Sequence, residues 1–591
     1  MSTSEPETLR PPIAMVAWAL AVAAVTVPAL CRLPGLPSVE SSDRALFELR
    51  TRDVFSLDPP LVGAYSRYGW NHPGPVFQYL FAIPYRLFGG DATAIRLCAV
   101  LFTAGMMVWM AALLRRHGRA ANVAVAAACV GVVALQGGLL PLDTWNPTLA
   151  ILPVMVVLVA AALTMERPTP GRIGSVLAAA SLAAQAHSGT AVVLLPVVGL
   201  AIFSAARVWW RAGHPLRGLP RAWWGWAGLI ALVWLPVVVD TLWRWPGNLA
   251  DVARWALRSD EPSAGPREGF GVVARATSLS WPWNSRDVTF LRTIDVGVGV
   301  APGAVIVLLV AARWWTRGRR QRHAVDAALA GWAGALVGAA GLRGPRYDYL
   351  VAWLFPLVAY SWAVLAMVAG AIAASTTRRS SDPGRAAARA RTAMLAGAAA
   401  GGVAIGAVAA VSTLRVDHPD TRTSAAAVAL AAAVPAVEGA VVEVRRLDDV
   451  MLSGLVAAGL ANALDARGTA LAEPGLDALY GPRRSARVAD TVVGVRAWTA
   501  PTPPPDGARQ LACWGLPSPA DEARRATLRE DLAALLVDGH REDLIPLLDT
   551  ANAEIVLAAD PPAAVAARAG DVRDLATLQA HAGRAVCLYL L

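Results

Sequence analysis

Three short polar runs share the segment between the first two apolar stretches of the chain: Ser41-Ser42-Asp43-Arg44, Arg50-Thr51-Arg52-Asp53 and Asn71-His72-Pro73-Gly74-Pro75. Carboxylates can take a proton from a hydroxyl, and guanidinium forks match phosphate oxygens. A plain connector would be shorter and would not need so many ionisable groups. An acid just past the first apolar stretch, followed by a proline-punctuated return to apolar sequence, reads as a catalytic loop at the outer face of a membrane. Asp43 and Asp53 are the candidates for a base. For each, an ion pair with Arg50 or Arg52 is the competing reading, and Asp43 would also suit the positive end of a helix dipole.

Composition requires the membrane. The chain has 591 residues, 56% of them hydrophobic and 16% charged, with a mean hydropathy of +0.46. That is too apolar for a soluble enzyme of this length. There is no lysine, and the net charge of +10 is unevenly spread. Residues 1–414 hold 36 arginines against 20 acids, and residues 415–591 hold 17 against 23. The arginines of the first part sit in short loops, as the positive-inside rule expects, so the charge orients the protein and is not a nucleic-acid surface.

Hydropathy predicts about eleven spans, each near the roughly 20 residues that cross a bilayer. They run over 12–32, 94–114, 121–140, 147–164, 172–187, 189–208, 222–243, 295–314, 325–342, 348–374 and 394–414. With the N-terminus in the cytoplasm, the arginine-rich loops near 115–119, 167–172, 207–221, 317–322 and 378–391 all fall inside. The first stretch lacks a small-residue cleavage site and reads as an anchor. The expected architecture is a polytopic helical domain over 1–414 in the plasma membrane, with outer loops 33–93 and 244–294, and an extracytoplasmic α/β domain over 415–591. Segment 75–88 is short and contains Pro84, so it reads as interfacial or re-entrant. Residues 43–56 read as an amphipathic helix capped by Ser42, with Leu46, Phe47 and Leu49 facing lipid or protein.

Other outer-face residues can join the loop. Arg343 and Arg346 precede the tenth span within Gly341–Tyr349 and are placed to meet a lipid phosphate, or to anchor the interface. Asp143, Trp145 and Asn146 form a compact loop that would line an acceptor cleft. His187 lies at the tip of a short helical hairpin. Trp281-Pro282-Trp283 would stack on sugar rings or sit among headgroups.

The order of these features carries a resemblance. A first span, a loop with an early acid (Asp43 to Asp53), the run Asn71-His72-Pro73-Gly74-Pro75-Val76-Phe77-Gln78-Tyr79, then Leu87-Phe88-Gly89 and Ile95-Arg96-Leu97 resemble the GT-C superfamily of polyprenyl-phosphate-sugar glycosyltransferases. The likeness is to the group of aminoarabinose transferases and protein O-mannosyltransferases, and the hairpin Gly174 to Pro196 with Ala184–Ser188 adds to it. The resemblance covers residues 12–210 well and the later spans by topology alone. It implies a polyprenyl-phosphate sugar as donor, an envelope glycan, lipid or protein as acceptor, and inverting transfer of a hexose or pentose. It further implies Asp43 as base, His72 near the donor phosphate with Arg50, Arg52, Arg343 and Arg346, and Asn71 and Tyr79 in the cavity wall. The chain departs from the family pattern where Gly74 splits the usual paired prolines and where Arg44 follows the loop acid. A lipid-linked sugar flippase and a non-catalytic glycan-binding homologue are the alternative readings.

No cofactor is expected. The eight histidines show no metal-ligand spacing, although some members of the superfamily use a divalent metal, so metal dependence stays open. Residues 415–591 alternate apolar runs at 440–444, 491–495, 554–557 and 585–588, read as strands, with helical stretches near 449–467, 520–538 and 561–579. A small doubly wound sheet would follow. Cys513 and Cys587 are the candidate disulfide in this domain.

Overall fold

The computed structural model describes residues 13–212, 221–276, 303–344, 347–377, 397, 401–435, 439–498, 504–550, 552–583 and 585–591. Arg346, the Trp281–Trp283 run and the arginines at 378–391 lie outside the described residues. The chain forms two compact units, one of residues 1–36 and 51–419, the other of residues 37–50 and 420–591.

The first unit is helical. In chain order its elements are α1 (Ile13–Arg32), α2 (Ser42–Asp53, of which only residues 51–53 belong here), α3 (Val76–Leu87), α4 (Ala92–Leu114), α5 (Arg119–Leu135), α6 (Asn146–Leu149) and α7 (Ile151–Glu166). There follow α8 (Pro170–Ala186), α9 (Gly189–Arg211), α10 (Arg221–Trp243), α11 (Gly247–Arg258), α12 (Gly265–Ala276), α13 (Ala304–Trp315), α14 (Arg322–Ala340), α15 (Leu354–Thr377) and α16 (Gly401–Arg415). Among the described residues seven helices are long and apolar enough to cross a membrane: α1, α4, α6 with α7, α9, α10, α14 and α15. The other four expected spans are the shorter helices α5, α8, α13 and α16; residues just before α13 and α16 lie outside the described set. The chain is thus a polytopic α-helical membrane protein.

Helix α7 is the axis of this unit. Every residue from Ile151 to Met165 is buried, and α4, α8, α9, α14 and α15 pack around it. Sequence signals set the neighbouring helix starts: the Asp91 carboxylate accepts from the Ala94 amide at 2.8 Å to cap α4, and Thr169 caps α8 ahead of Pro170. Small residues let α14 meet α9 at close range. A Cβ on Gly334 would stand 2.2 Å from the Val193 carbonyl oxygen, whereas Gly402 faces open space. Gly334→Ala should therefore push two backbones apart and cost about 1–3 kcal/mol, read as a lower thermal midpoint in detergent. Gly105→Ala, with nothing within 4 Å of its new methyl, should not lower it.

The second unit is an α/β domain. After α17 (Thr421–Ala433) come β1 (Val441–Arg446), α18 (Met451–Ala466), β2 (Ala470–Ala472), α19 (Asp477–Tyr480), α20 (Pro482–Ser485), β3 (Thr491–Ala497) and β4 (Arg509–Trp514). They are followed by α21 (Pro519–Asp538), α22 (Ile545–Leu548), α23 (Ile555–Ala558), α24 (Ala563–Ala567), α25 (Ala569–Ala582) and β5 (Val586–Leu590). The sheet order is β2-β1-β3-β5-β4. β2, β1 and β3 are parallel, while β5 runs antiparallel to both β3 and β4. A mixed sheet stands where a doubly wound one was expected. Residues 554–557, read as a strand, form the start of α23, where Val556 joins a helical cluster with Leu532, Leu548 and Val572. Cys513 and Cys587 face each other across β4 and β5 and form a disulfide.

Residues 37–50 belong to this second unit. Leu49 lies in its core with Val444, Leu460 and Val493, and Leu46 packs against the same cluster. Ser42, expected as a cap, adopts a positive φ of 56° and its hydroxyl donates to Asp420 Oδ2 at 2.7 Å. Asp420 accepts from the buried Arg44 as well (3.3 Å). Ser42 and Asp420 are both buried, so this bond is made out of reach of water.

Candidate functional site

The site in the first unit is built on a narrow hairpin. Gly63 N–H donates to the His72 carbonyl at 2.9 Å, His72 N–H to Ala64 at 2.8 Å, and Ser66 N–H to Trp70 at 2.8 Å. Gly69, at φ +84°, turns the tip. On the returning strand Trp70 and His72 point to one face, and the turn at Gly69 brings Tyr68 beside them. Their rings confirm it: Tyr68 and Trp70 stand 5.9 Å apart, and Trp70 meets His72 edge-on at 5.6 Å.

His72 meets His187, just past the end of α8, at 5.1 Å between ring centroids, and both side chains are buried. The Ser188 backbone N–H donates to His72 Nδ1 at 3.1 Å. That bond assigns the proton to Nε2, so His72 offers a neutral N–H donor. Burial holds its basicity well below the usual imidazole range, and the neighbouring His187 lowers it further. The His187 ring lies over Gly189, where a Cβ would come within 3.1 Å of Cε1.

Gly74 has a physical reason to split the prolines. A Cβ there would fall 2.2 Å from Gln185 Oε1 and 2.7 Å from Val237, so only glycine lets the hairpin pass between α8 and α10. The Gln185 amide donates to the Val233 carbonyl at 3.1 Å, tying those two helices together.

Asn248, at the start of α11, pins the hairpin from the other side. Its carboxamide accepts from the Asn71 N–H at 2.8 Å and donates to the Asn71 carbonyl at 2.7 Å, as a neighbouring strand would. The buried Asp240 carboxylate in turn accepts from the Asn248 N–H at 2.9 Å. Asp240 and Asn248 are thus positioning residues that the sequence reading did not single out; the Pro246-Gly247-Asn248 helix start was their one visible signal.

The remaining candidates divide. The Asn71 side chain donates to the Gly63 carbonyl at 3.2 Å and closes the hairpin. Asp143 accepts from the Trp145 N–H (3.0 Å) and the Thr148 hydroxyl (2.7 Å), which braces the loop leading into α6, where Trp145 meets Tyr349 at 5.0 Å. Asn146 donates to the Ala186 carbonyl, beside His187. Arg343 donates to the carbonyls of Ser259, Glu261 and Ala256, which clamps the C-terminal end of α11 as a cation at a helix terminus should. Arg52 Nε donates to Tyr85 Oη at 2.9 Å, and Tyr79 Oη donates to the Pro60 carbonyl. Asp53 is fully buried.

In the second unit, Asp43 is exposed in the first turn of α2, and Arg50 lies against Gly481, whose absent Cβ leaves room for the guanidinium. Glu473 is buried near β2, with Val444 N–H pointing at it from 3.4 Å. Burial pushes its carboxyl up to about 8, helped by Glu443 and only partly countered by the Val444 N–H and, less, by Arg484.

Comparison with known proteins gives structural matches only. The chain is similar to ArnT from Cupriavidus metallidurans. In the apo state ArnT shares 14% identity at a TM-score of 0.49, over 85% of this chain and 95% of that one; bound to undecaprenyl phosphate, the identity and coverage are the same at 0.47. The apo oligosaccharyltransferase of Archaeoglobus fulgidus matches at 12% identity and 0.38, over 82% of this chain and 69% of that one. No family model and no curated protein matches.

Proposed function

We propose that this protein is a GT-C-type glycosyltransferase that moves a sugar from a polyprenyl phosphate to an envelope acceptor at the outer face of the plasma membrane, with the N-terminus inside and the second unit outside. The observation that carries the reading is the His72–His187 pair, buried beneath an aromatic hairpin at the end of a membrane helix bundle. A neutral Nε2–H in a sealed site is a directed donor for the oxygens of a departing lipid phosphate, where charge develops as the glycosidic bond breaks. The motif order from Asp43 to Leu97 supports the donor class, and the outward placement of the second unit suits its disulfide.

Within this reading Asp43 takes the proton from the acceptor hydroxyl. The anomeric carbon exchanges its bond to the phosphate oxygen for one to the acceptor oxygen, with inversion. Transfer by the purified protein from a panel of labelled polyprenyl-phosphate sugars, mannosyl and arabinofuranosyl among them, is the direct test. Donor neither bound nor consumed by the folded protein would refute it. His72→Ala should weaken donor binding about 10–100-fold, the range for losing a hydrogen bond to a charged group. Unchanged binding would remove His72 from the phosphate.

A further inference from the structure

Beside the histidine pair the hairpin carries a surface that the transfer chemistry does not use. Tyr68 and Trp255 face each other at 4.2 Å between centroids, and Trp255 reaches Trp70 at 5.5 Å. Arg67 lies with its guanidinium carbon 5.0 Å from both the Tyr68 and the Tyr347 ring centres, bridging the two sets of rings. Glu261 completes the rim. Its Oε2 and the Arg67 Nη2 lie 2.6 and 3.1 Å from the point where a Cβ would stand on Gly344. Tyr68, Trp255 and Tyr347 are half-buried, whereas Arg67 and Glu261 are exposed. Trp70, 6% exposed, keeps an indole N–H that is buried with no hydrogen-bond partner.

We infer that this ledge is a glycan subsite that holds the acceptor as a chain of sugar rings. The inference rests on the transferase reading only for the word acceptor. A sugar has an apolar C–H face and a hydroxyl edge. Broad half-exposed rings match the first, and a guanidinium beside a carboxylate offers a donor and an acceptor to the second. An acyl chain would use neither charge. The unpaired indole N–H of Trp70 donates to a hydroxyl or ring oxygen of the sugar that reaches deepest, next to His72.

The test uses the full-length protein in detergent without donor, titrated with two probes, a neutral linear mannopyranose tetrasaccharide and an arabinofuranose tetrasaccharide. Binding is read by tryptophan fluorescence and by saturation transfer from aromatic protons. At least one probe should bind saturably. Trp255→Ala should weaken it tenfold or more, and Trp70→Phe, which keeps an aromatic ring but removes the pyrrole half of the indole with its N–H, about fivefold. Trp210→Ala, an exposed tryptophan on α9, should leave it unchanged. Absence of saturable binding up to the solubility limit overturns the subsite, as does binding unaffected by both ledge variants. The same preparation is assayed for donor consumption. Donor turnover without glycan binding removes the ledge alone; glycan binding without turnover removes the transferase reading alone.

Discussion

Asp43→Asn should lower sugar transfer about 10²–10⁴-fold, the range that a general base contributes, while the protein stays folded. The carboxylate is exposed in the first turn of α2. An amide of the same shape keeps the helix and removes the proton acceptor. α2 is held by other groups, since Leu49 is in the core and Glu48 accepts from Asn462 at 2.8 Å. Two readings are needed on one sample: transfer rate, and binding of a labelled polyprenyl-phosphate sugar. Loss of transfer with binding retained assigns the base to Asp43. An unchanged rate would strip it of that role, and buried Asp53 would not inherit the role by default, because an acceptor hydroxyl must reach the base.

What could be read beforehand follows the range of the forces involved. Membrane helices declare themselves through local apolar length, so α1, α4, α9, α10, α14 and α15 stand where hydropathy puts them. α8 and His187 were legible because a short apolar hairpin must turn somewhere, and the turn falls at His187-Ser188. Strand and helix are harder to separate in short apolar runs: Ile555-Val556-Leu557 suits either, and packing against Leu532 and Leu548 decides for helix. β2 is three residues long and leaves no period to detect. Grouping residues 37–50 with residues 420–591 depends on contacts across nearly 400 positions, Ser42 with Asp420 among them, which no local pattern encodes. The Trp281–Trp283 run lies outside the described residues; among those described, Tyr68, Trp70 and Trp255 gather although they are dispersed in sequence, joined by the Asn71–Asn248 pairing. Arg343 shows the same limit from the other side. Its type and place suit a phosphate, and only the folded chain shows that carbonyls at the end of α11 take three of its five N–H donors.

The second unit should lose stability as pH rises from about 5 to 8, and Glu473 should be responsible. Its carboxyl, ordinarily near 4.5, is pushed up to about 8 because burial strips its water. Arg484 offsets little of this because its charge is already committed: Nη2 bonds Asp465 at 3.1 Å and Nη1 the Tyr480 carbonyl at 3.0 Å. Glu443 adds repulsion when Glu473 ionises. Between those two values the folded form binds the extra proton and the unfolded form does not. Raising the pH therefore favours unfolding by about 1.4 kcal/mol per unit, on the order of 4 kcal/mol from pH 5 to 8. Above about 8 both forms are ionised and the slope vanishes; below 4.5 both are protonated and it vanishes again. Hydrogen exchange at the Val442 and Val444 amides of β1, corrected for intrinsic rates, reads this directly in the full-length protein. Protection should fall roughly 10³-fold across the window if these amides exchange through opening of the unit. Glu473→Gln carries no titrating proton and should hold protection nearly level. Parallel curves for the two proteins would mean that the carboxyl is solvated or neutralised in the fold, and the buried arrangement around β2 would be wrong.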